Sequence, residues 1–141
     1  MNSKFEQISL KPGFMKHNGG VLFKTISENE YEFKATIQKN HLNKAGITHG
    51  GFISALVDAG AGTAAHRSAD NSLCVTVSLE LKFISAVYLG QELIGNTKIQ
   101  KKTKSMIFLT CELTAEDKIV ATASGIWKIL NKKLPAIGPG G

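Results

Sequence analysis

The fold turns on residues 48–68, Thr48-His49-Gly50-Gly51-Phe52-Ile53-Ser54-Ala55-Leu56-Val57-Asp58-Ala59-Gly60-Ala61-Gly62-Thr63-Ala64-Ala65-His66-Arg67-Ser68. Phe52, Leu56 and Ala59 recur at helical spacing, Ile53 and Val57 widen the apolar surface, and strand alternation is absent, so the segment reads as a helix. Gly60 and Gly62 each cost about 1 kcal/mol relative to alanine in a helix interior. A sequence tolerates that where another element must come close. Ala55, Ala59, Ala61, Ala64 and Ala65 leave nearly every face small, which predicts a helix wrapped by sheet rather than laid on a surface.

Strands are expected on both sides of it. Upstream, Tyr31, Phe33, Ala35 and Ile37 alternate with Glu32, Lys34, Thr36 and Gln38, with Val21 to Ile26 as hairpin partner. Before them only the turn signals Pro12-Gly13 and Asn18-Gly19-Gly20 stand out. Downstream, the odd-numbered residues from Leu73 to Phe83 alternate with Cys74, Thr76, Ser78, Glu80 and Lys82. Leu93 to Gln100 follows, then a turn around Lys101 to Lys104. Next come an alternating run from Ile107 to Leu113, a tight turn at Glu116-Asp117, and the series Ile119, Ala121, Ala123, Gly125, Trp127, Ile129. Four long segments joined by short connections predict an antiparallel meander. The tail from Asn131, with Pro135 and Pro139, is expected to fray.

The chain of 141 residues suggests one domain over 1–141, since two cores would have about 70 residues each. With 43% hydrophobic and 20% charged residues the composition is that of an ordinary globular protein. No run approaches the length needed to span a bilayer, and Met1 to Glu6 lacks the apolar core of a secretory leader, so a cytoplasmic protein without a membrane partner is expected. Cys74 and Cys111 are isolated, which favours buried, reduced thiols over a metal or redox motif. The net charge of +6 is spread along the chain, apart from a cluster at Lys98, Lys101, Lys102 and Lys104. Aromatics do not alternate with basic residues as a base-stacking surface requires, so nucleic acid is not the expected partner. The cluster suits a small polyphosphate, or simply a solvated hairpin tip.

Chemistry concentrates around the helix. Asp58 is the one carboxylate in a small, apolar segment, and a buried charge must be partnered or perturbed, which makes it a candidate site. Gly50-Gly51 at the helix start expose N–H groups that lack intrahelical acceptors, with the positive end of the helix dipole behind them. Such amides can polarise a carbonyl; the same glycines also suit a sharp loop-to-helix turn. Asn43 and His49 are the polar residues leading into that turn. Asp58 lies about two turns, roughly 10 Å, from Gly51 along the helix. The two cannot readily converge on one carbonyl within a single chain, so the spacing argues for an oligomer whose copies share a site.

The pattern Asn43-x-x-Gly46-x-x-His49-Gly50-Gly51, with Asp58 nine residues after the histidine in a helix flanked by long strands, resembles the hotdog-fold acyl-CoA thioesterases, most closely their PaaI-like branch. The resemblance covers roughly Lys11 to Leu130. It implies an α+β fold, an antiparallel sheet of about five or six strands wrapped around one long central helix. It also implies subunits paired edge to edge, commonly as dimers of dimers, with the active site at the dimer interface. Asp58 is then the nucleophile or general base, Asn43 and the Gly51 amide from the other subunit orient water and polarise the thioester, and Thr76 helps position water. His49, which shapes the loop by hydrogen bonding, and Gly50 are expected among the substrate-binding residues, and Lys101, Lys102 and Lys104 would meet the phosphates of coenzyme A. That coenzyme belongs to the substrate; no cofactor and no metal are expected. Phe52, Leu56, Phe83 and Tyr88 are candidates to line the acyl pocket. Two other readings compete: a hydratase or dehydratase using His49 and Asp58 for proton transfer, and an acyl-CoA-binding module without catalysis.

Overall fold

The computed structural model describes the backbone of residues 4–133, with side chains through Leu130. Two short elements open it, strand β1 (Glu6–Gln7) and helix α1 (Phe14–His17). The hairpin β2 (Leu22–Ser27) and β3 (Glu30–Thr36) follows, then a single 3-10 turn at Lys39–His41 and the long helix α2 (Gly50–Ser68). Strands β4 (Ser72–Phe83), β5 (Glu92–Lys102), β6 (Met106–Ala115) and β7 (Lys118–Lys133) complete the chain. All pair antiparallel in one sheet of order β1-β2-β3-β5-β6-β7-β4, six long strands with the two-residue β1 at one edge. The strand expected to fray from Asn131 continues through Lys133, while the rest of that tail lies outside the described residues.

The sheet curls around α2 as the small residues predict. From Ala59 to His66 every helical residue is buried, so no polar face exists over two turns. Phe33 explains the two nearest glycines. A Cβ at Gly60 on the helix or at Gly95 on β5 would lie 2.2 Å from its ring, so the ring fills a slot open on both sides. Burying such a side chain contributes about 2–3 kcal/mol.

Two expectations about the sheet need correction. β5, β6 and β7 form a meander, but β4 pairs with the far side of β7 and not with β5, whose two edges are taken by β3 and β6. The alternation in β4 and β7 is also broken by bulges. The register on β7 shifts between Thr76 and Ser78, so Cys74 and Thr76 turn toward the helix before the shift and Leu79 and Leu81 pack on the core after it. Val75 and Val77 are left exposed. A second shift between Leu113 and Thr114 exposes Ile119 (44%) and buries Val120 in its place (2%). The Glu116-Asp117 turn is as expected, both residues having positive φ (49° and 64°) as the two-residue hairpin requires.

Candidate active site

Asp58 sits at the middle of α2 where the sheet leaves the helix uncovered. Contrary to the expectation of burial, it is exposed in the single chain, beside β4, which is the last strand of the sheet among the described residues. Its Oδ1 accepts a hydrogen bond from Thr76 Oγ1 at 2.7 Å. That contact leaves Oδ2 available to a substrate or water. The pair opens on a pocket of about 350 Å³ lined by Phe14 and Met15 of α1, Ala55, Ala59 and Gly62 of α2, Cys74 of β4 and Trp127 of β7. Burial pushes the Cys74 thiol up to about 11, so it stands there as a neutral wall.

A second polar group lies at the start of the same helix. Loop 42–48 is pinned by the Leu42–Thr48 bridge, and Thr48 binds the Val87 carbonyl through its N–H (2.9 Å) and its hydroxyl (2.7 Å). Asn43 organises the loop: its Oδ1 accepts from the N–H groups of Ala45 (2.9 Å) and Ile47 (3.3 Å). Only its Nδ2 amide remains for a ligand. Gly46 carries φ of +83°, which a glycine adopts without strain. His49 is the N-cap, its Nδ1 accepting from Gly51 N–H at 2.7 Å. A Cβ at Gly51 would stand 2.8 Å from that nitrogen, so the glycine is what admits the ring.

That cap changes one assignment. The Gly51 amide, expected to polarise a carbonyl, is already held by His49. Gly50 is the first residue of the helix, and its N–H has no acceptor among the described residues. Gly50 and Asn43 together line a second pocket of about 300 Å³ with Phe83, Ile84 and Val87. Gly50 and Asp58 are eight residues apart, about 12 Å along the axis. The single chain thus brings Asp58 and Thr76 together, and Asn43 and Gly50 together, but not the two pairs.

Other expected site residues fall elsewhere. Lys102 Nζ donates to Ser68 O at 2.8 Å, capping the carbonyl end of α2, where a cation is favourable. Lys101 and Lys104 stay exposed beside it. Phe52 and Leu56 belong to the core, Phe52 stacked on the His41 ring at 3.6 Å, so neither lines the Asp58 pocket. Phe83 and Tyr88 are exposed, and Phe83 lines the Gly50 pocket instead. The sequence reading did not single out Met15 and Trp127 as pocket walls, nor His41. Buried His41 ties the segments together, its Nδ1 accepting from Gln38 N–H (2.9 Å) and its Nε2–H donating to Asn18 O (2.6 Å). A lone tryptophan in a half-buried strand was the one signal for Trp127. Among the described residues no helix is long and apolar enough to cross a membrane, and no cluster of histidine, cysteine and carboxylate residues could hold a metal.

A sheet wrapped on one long helix, with a helical carboxylate and an open amide at the helix start, defines a hotdog-fold thioester hydrolase. The chain belongs to the Thioesterase superfamily, whose profile matches residues 45–122, from the loop after Asn43 into the start of β7. It is similar to the Pseudomonas aeruginosa protein PA0474, 34% identical over 94 residues (66% of this chain, 70% of that one). It is also similar to mouse acyl-coenzyme A thioesterase 13, 25% identical over 103 residues (73% and 74%). The crystal structure of zebrafish thioesterase superfamily member 2 shares the fold, with a TM-score of 0.78 at 21% identity, over 87% of this chain and 91% of that one.

Proposed function

We propose that the protein is an acyl-coenzyme A thioesterase whose active site forms between two copies of the chain. The observation that carries this is the separation of the two polar pairs. Asp58 with Thr76 opens on one pocket, and Gly50 with Asn43 on another, about 12 Å along a common helix. A two-fold axis that brings the Gly50 end of one helix to the middle of the other completes two equal sites.

The edge strand supports the same arrangement. β4 ends the sheet with twelve residues, and its exposed Val75 and Val77, with Phe83 and Ile84 beyond, form an apolar margin that a second copy would cover. A long open strand edge is otherwise a template for unwanted pairing.

In the assembled site the Gly50 N–H binds the thioester oxygen, and Asn43 Nδ2 holds the acyl or water oxygen beside it. Asp58 Oδ2 takes a proton from water as general base, and the hydroxide adds to the carbonyl carbon. Charge developing on the oxygen meets the amide and the positive end of α2. Collapse breaks the C–S bond, and the coenzyme A thiolate leaves and takes up the proton, giving free acid and free thiol. Thr76 fixes the Asp58 carboxylate through Oδ1 and keeps lone pairs for the water. In this reading the exposed Lys101 and Lys104 meet the nucleotide phosphates of coenzyme A. The hydratase reading is disfavoured by His49, whose Nδ1 already accepts from the Gly51 N–H in the helix cap and so is engaged rather than open to a substrate proton.

Release of free thiol from a panel of aryl-, short- and long-chain acyl-coenzyme A substrates tests the proposal. Thiol release that depends on Asp58 is expected. Tight binding without cleavage would assign a binding module, and consumption of an unsaturated acyl-CoA without thiol release would assign a hydratase.

A further inference from the structure

Trp127 is the chain's single tryptophan and is 1% exposed, yet it lines the pocket beside Asp58. Its indole nitrogen faces α2 at Gly62, where a Cβ would stand 3.3 Å from Nε1. Among the described residues, the buried side-chain polar atoms sealed without a partner are His66 Nε2 and Thr97 Oγ1. The indole N–H has no acceptor among the described residues, Trp127 lines the pocket, and Gly62 puts no side chain in front of its nitrogen. An almost completely buried donor facing an otherwise apolar floor is unfavourable until something accepts from it.

The remaining lining sharpens what that acceptor is. Met15, Ala55, Ala59 and Phe14 carry no side-chain hydrogen-bonding group, and the Cys74 thiol is directed to Ser72 O at 3.6 Å. Indole N–H donates only, so its partner must be an acceptor. Among the described residues no lysine, arginine or histidine lines the pocket, and Asp58 borders it, so an anionic group is disfavoured. Gly62 lies one helical turn beyond Asp58, which sets the indole nitrogen about 5–6 Å along the axis from the carboxylate.

We infer that the pocket selects an acyl group bearing a neutral hydrogen-bond-accepting oxygen about 5–6 Å along the helix axis from the Asp58 carboxylate, and that Trp127 is the residue that reads it. The inference rests on the thioesterase reading for its substrate, but the contact itself is tested without turnover.

The matched probes are 5-oxohexanoyl-CoA and 5-methylhexanoyl-CoA, which differ by an oxygen in place of a methyl group. In the wild type, kcat/KM is expected to favour the oxo substrate about tenfold. In Trp127→Phe the ratio falls to about one, since only the donor is lost. Gly62→Ala keeps the tryptophan but places a methyl in front of Nε1, and lowers the ratio in the same direction. It serves also if Trp127→Phe fails to fold. Because the chain has one tryptophan, its indole N–H gives a single resonance in a nitrogen-15 correlation spectrum. That resonance moves downfield with 5-oxohexanamide and not with 5-methylhexanamide, neutral analogues that bring no charge to Asp58. Equal kcat/KM for the two thioesters in the wild type, or equal effects of the two amides on the resonance, overturns the inference. If no acyl-CoA is hydrolysed but the oxo amide alone shifts the resonance, the thioesterase reading fails and the recognition stands.

Discussion

Thr76 Oγ1 donates to Asp58 Oδ1 across 2.7 Å, joining the first half of β4 to the middle of α2. The bond occupies one carboxylate oxygen and leaves the other available beside the pocket that Asp58 lines. Asp58→Asn keeps the shape and the Thr76 contact but cannot take a proton from water, so turnover is expected to fall at least about 100-fold. Thr76→Val loses the hydroxyl and should fall less, with Thr76→Ser close to wild type. Steady-state kinetics across the three, with circular dichroism to confirm folding, check this order; Asp58→Asn with normal turnover would remove the carboxylate from the mechanism.

Gly50 offers a cleaner removal than most amides. Proline is well tolerated at the first residue of a helix, and His49 already has the extended backbone (φ −63°, ψ 133°) that precedes proline. Gly50→Pro therefore deletes one N–H and is expected to lower kcat about 10²–10³-fold with little change in thermal midpoint. Gly50→Ala keeps the N–H, and its Cβ would sit 3.4 Å from the exposed Phe83 ring, so it should retain most of the activity. Equal losses in both would assign the effect to bulk rather than to the donor.

Gly60 is held by Phe33. A Cβ at Gly60 would lie 2.2 Å from that ring, and overpacking of this kind costs about 1–3 kcal/mol. Gly60→Ala should lower the thermal midpoint despite alanine's better helix propensity, and Phe33→Leu in the same chain should recover part of the loss. A Gly60→Ala protein as stable as wild type would mean that α2 shifts freely against the sheet.

Burial raises both thiols, Cys74 to about 11 and Cys111 to about 12, from an ordinary value of 9.0. Both are neutral at pH 8, so the native protein should react slowly with a thiol reagent and react at both sites once unfolded. The sign for stability follows. A raised folded value favours the native state below pH 9, and this contribution is lost as pH rises through 11 and 12. Denaturant unfolding from pH 8 to 10.5 should show falling stability, with a shallower fall in Cys111→Ala.

Much of this was legible in the sequence. The small residues of 48–68 specified a wrapped helix, because only glycine and alanine allow approach on every side, and the period-two runs specified the strands. The bulges were not. One extra residue at Val77 reverses the faces of β4, and alternation alone had set Thr76 apart from the apolar face that would pack on the helix. The Gly51 amide shows a related limit of pattern: spacing finds the N–H groups at a helix start but not the His49 ring that accepts from one of them. Lys102 looked like its neighbours until its reach to Ser68 O was seen. Periodicity carries burial; local hydrogen bonds and register shifts are decided by tertiary contacts.

The shared site is tested most directly by pairing two inactive chains. Asp58→Asn and Gly50→Pro, co-expressed with different affinity tags and purified through both, give mixed dimers in which one site carries both substitutions and the other carries neither. The account predicts that each parent protein alone hydrolyses acyl-CoA at about 1% of wild type or less and that the mixed dimer recovers about half of wild-type turnover. A mixed dimer no more active than its parents would contradict it, placing both groups in one chain's site.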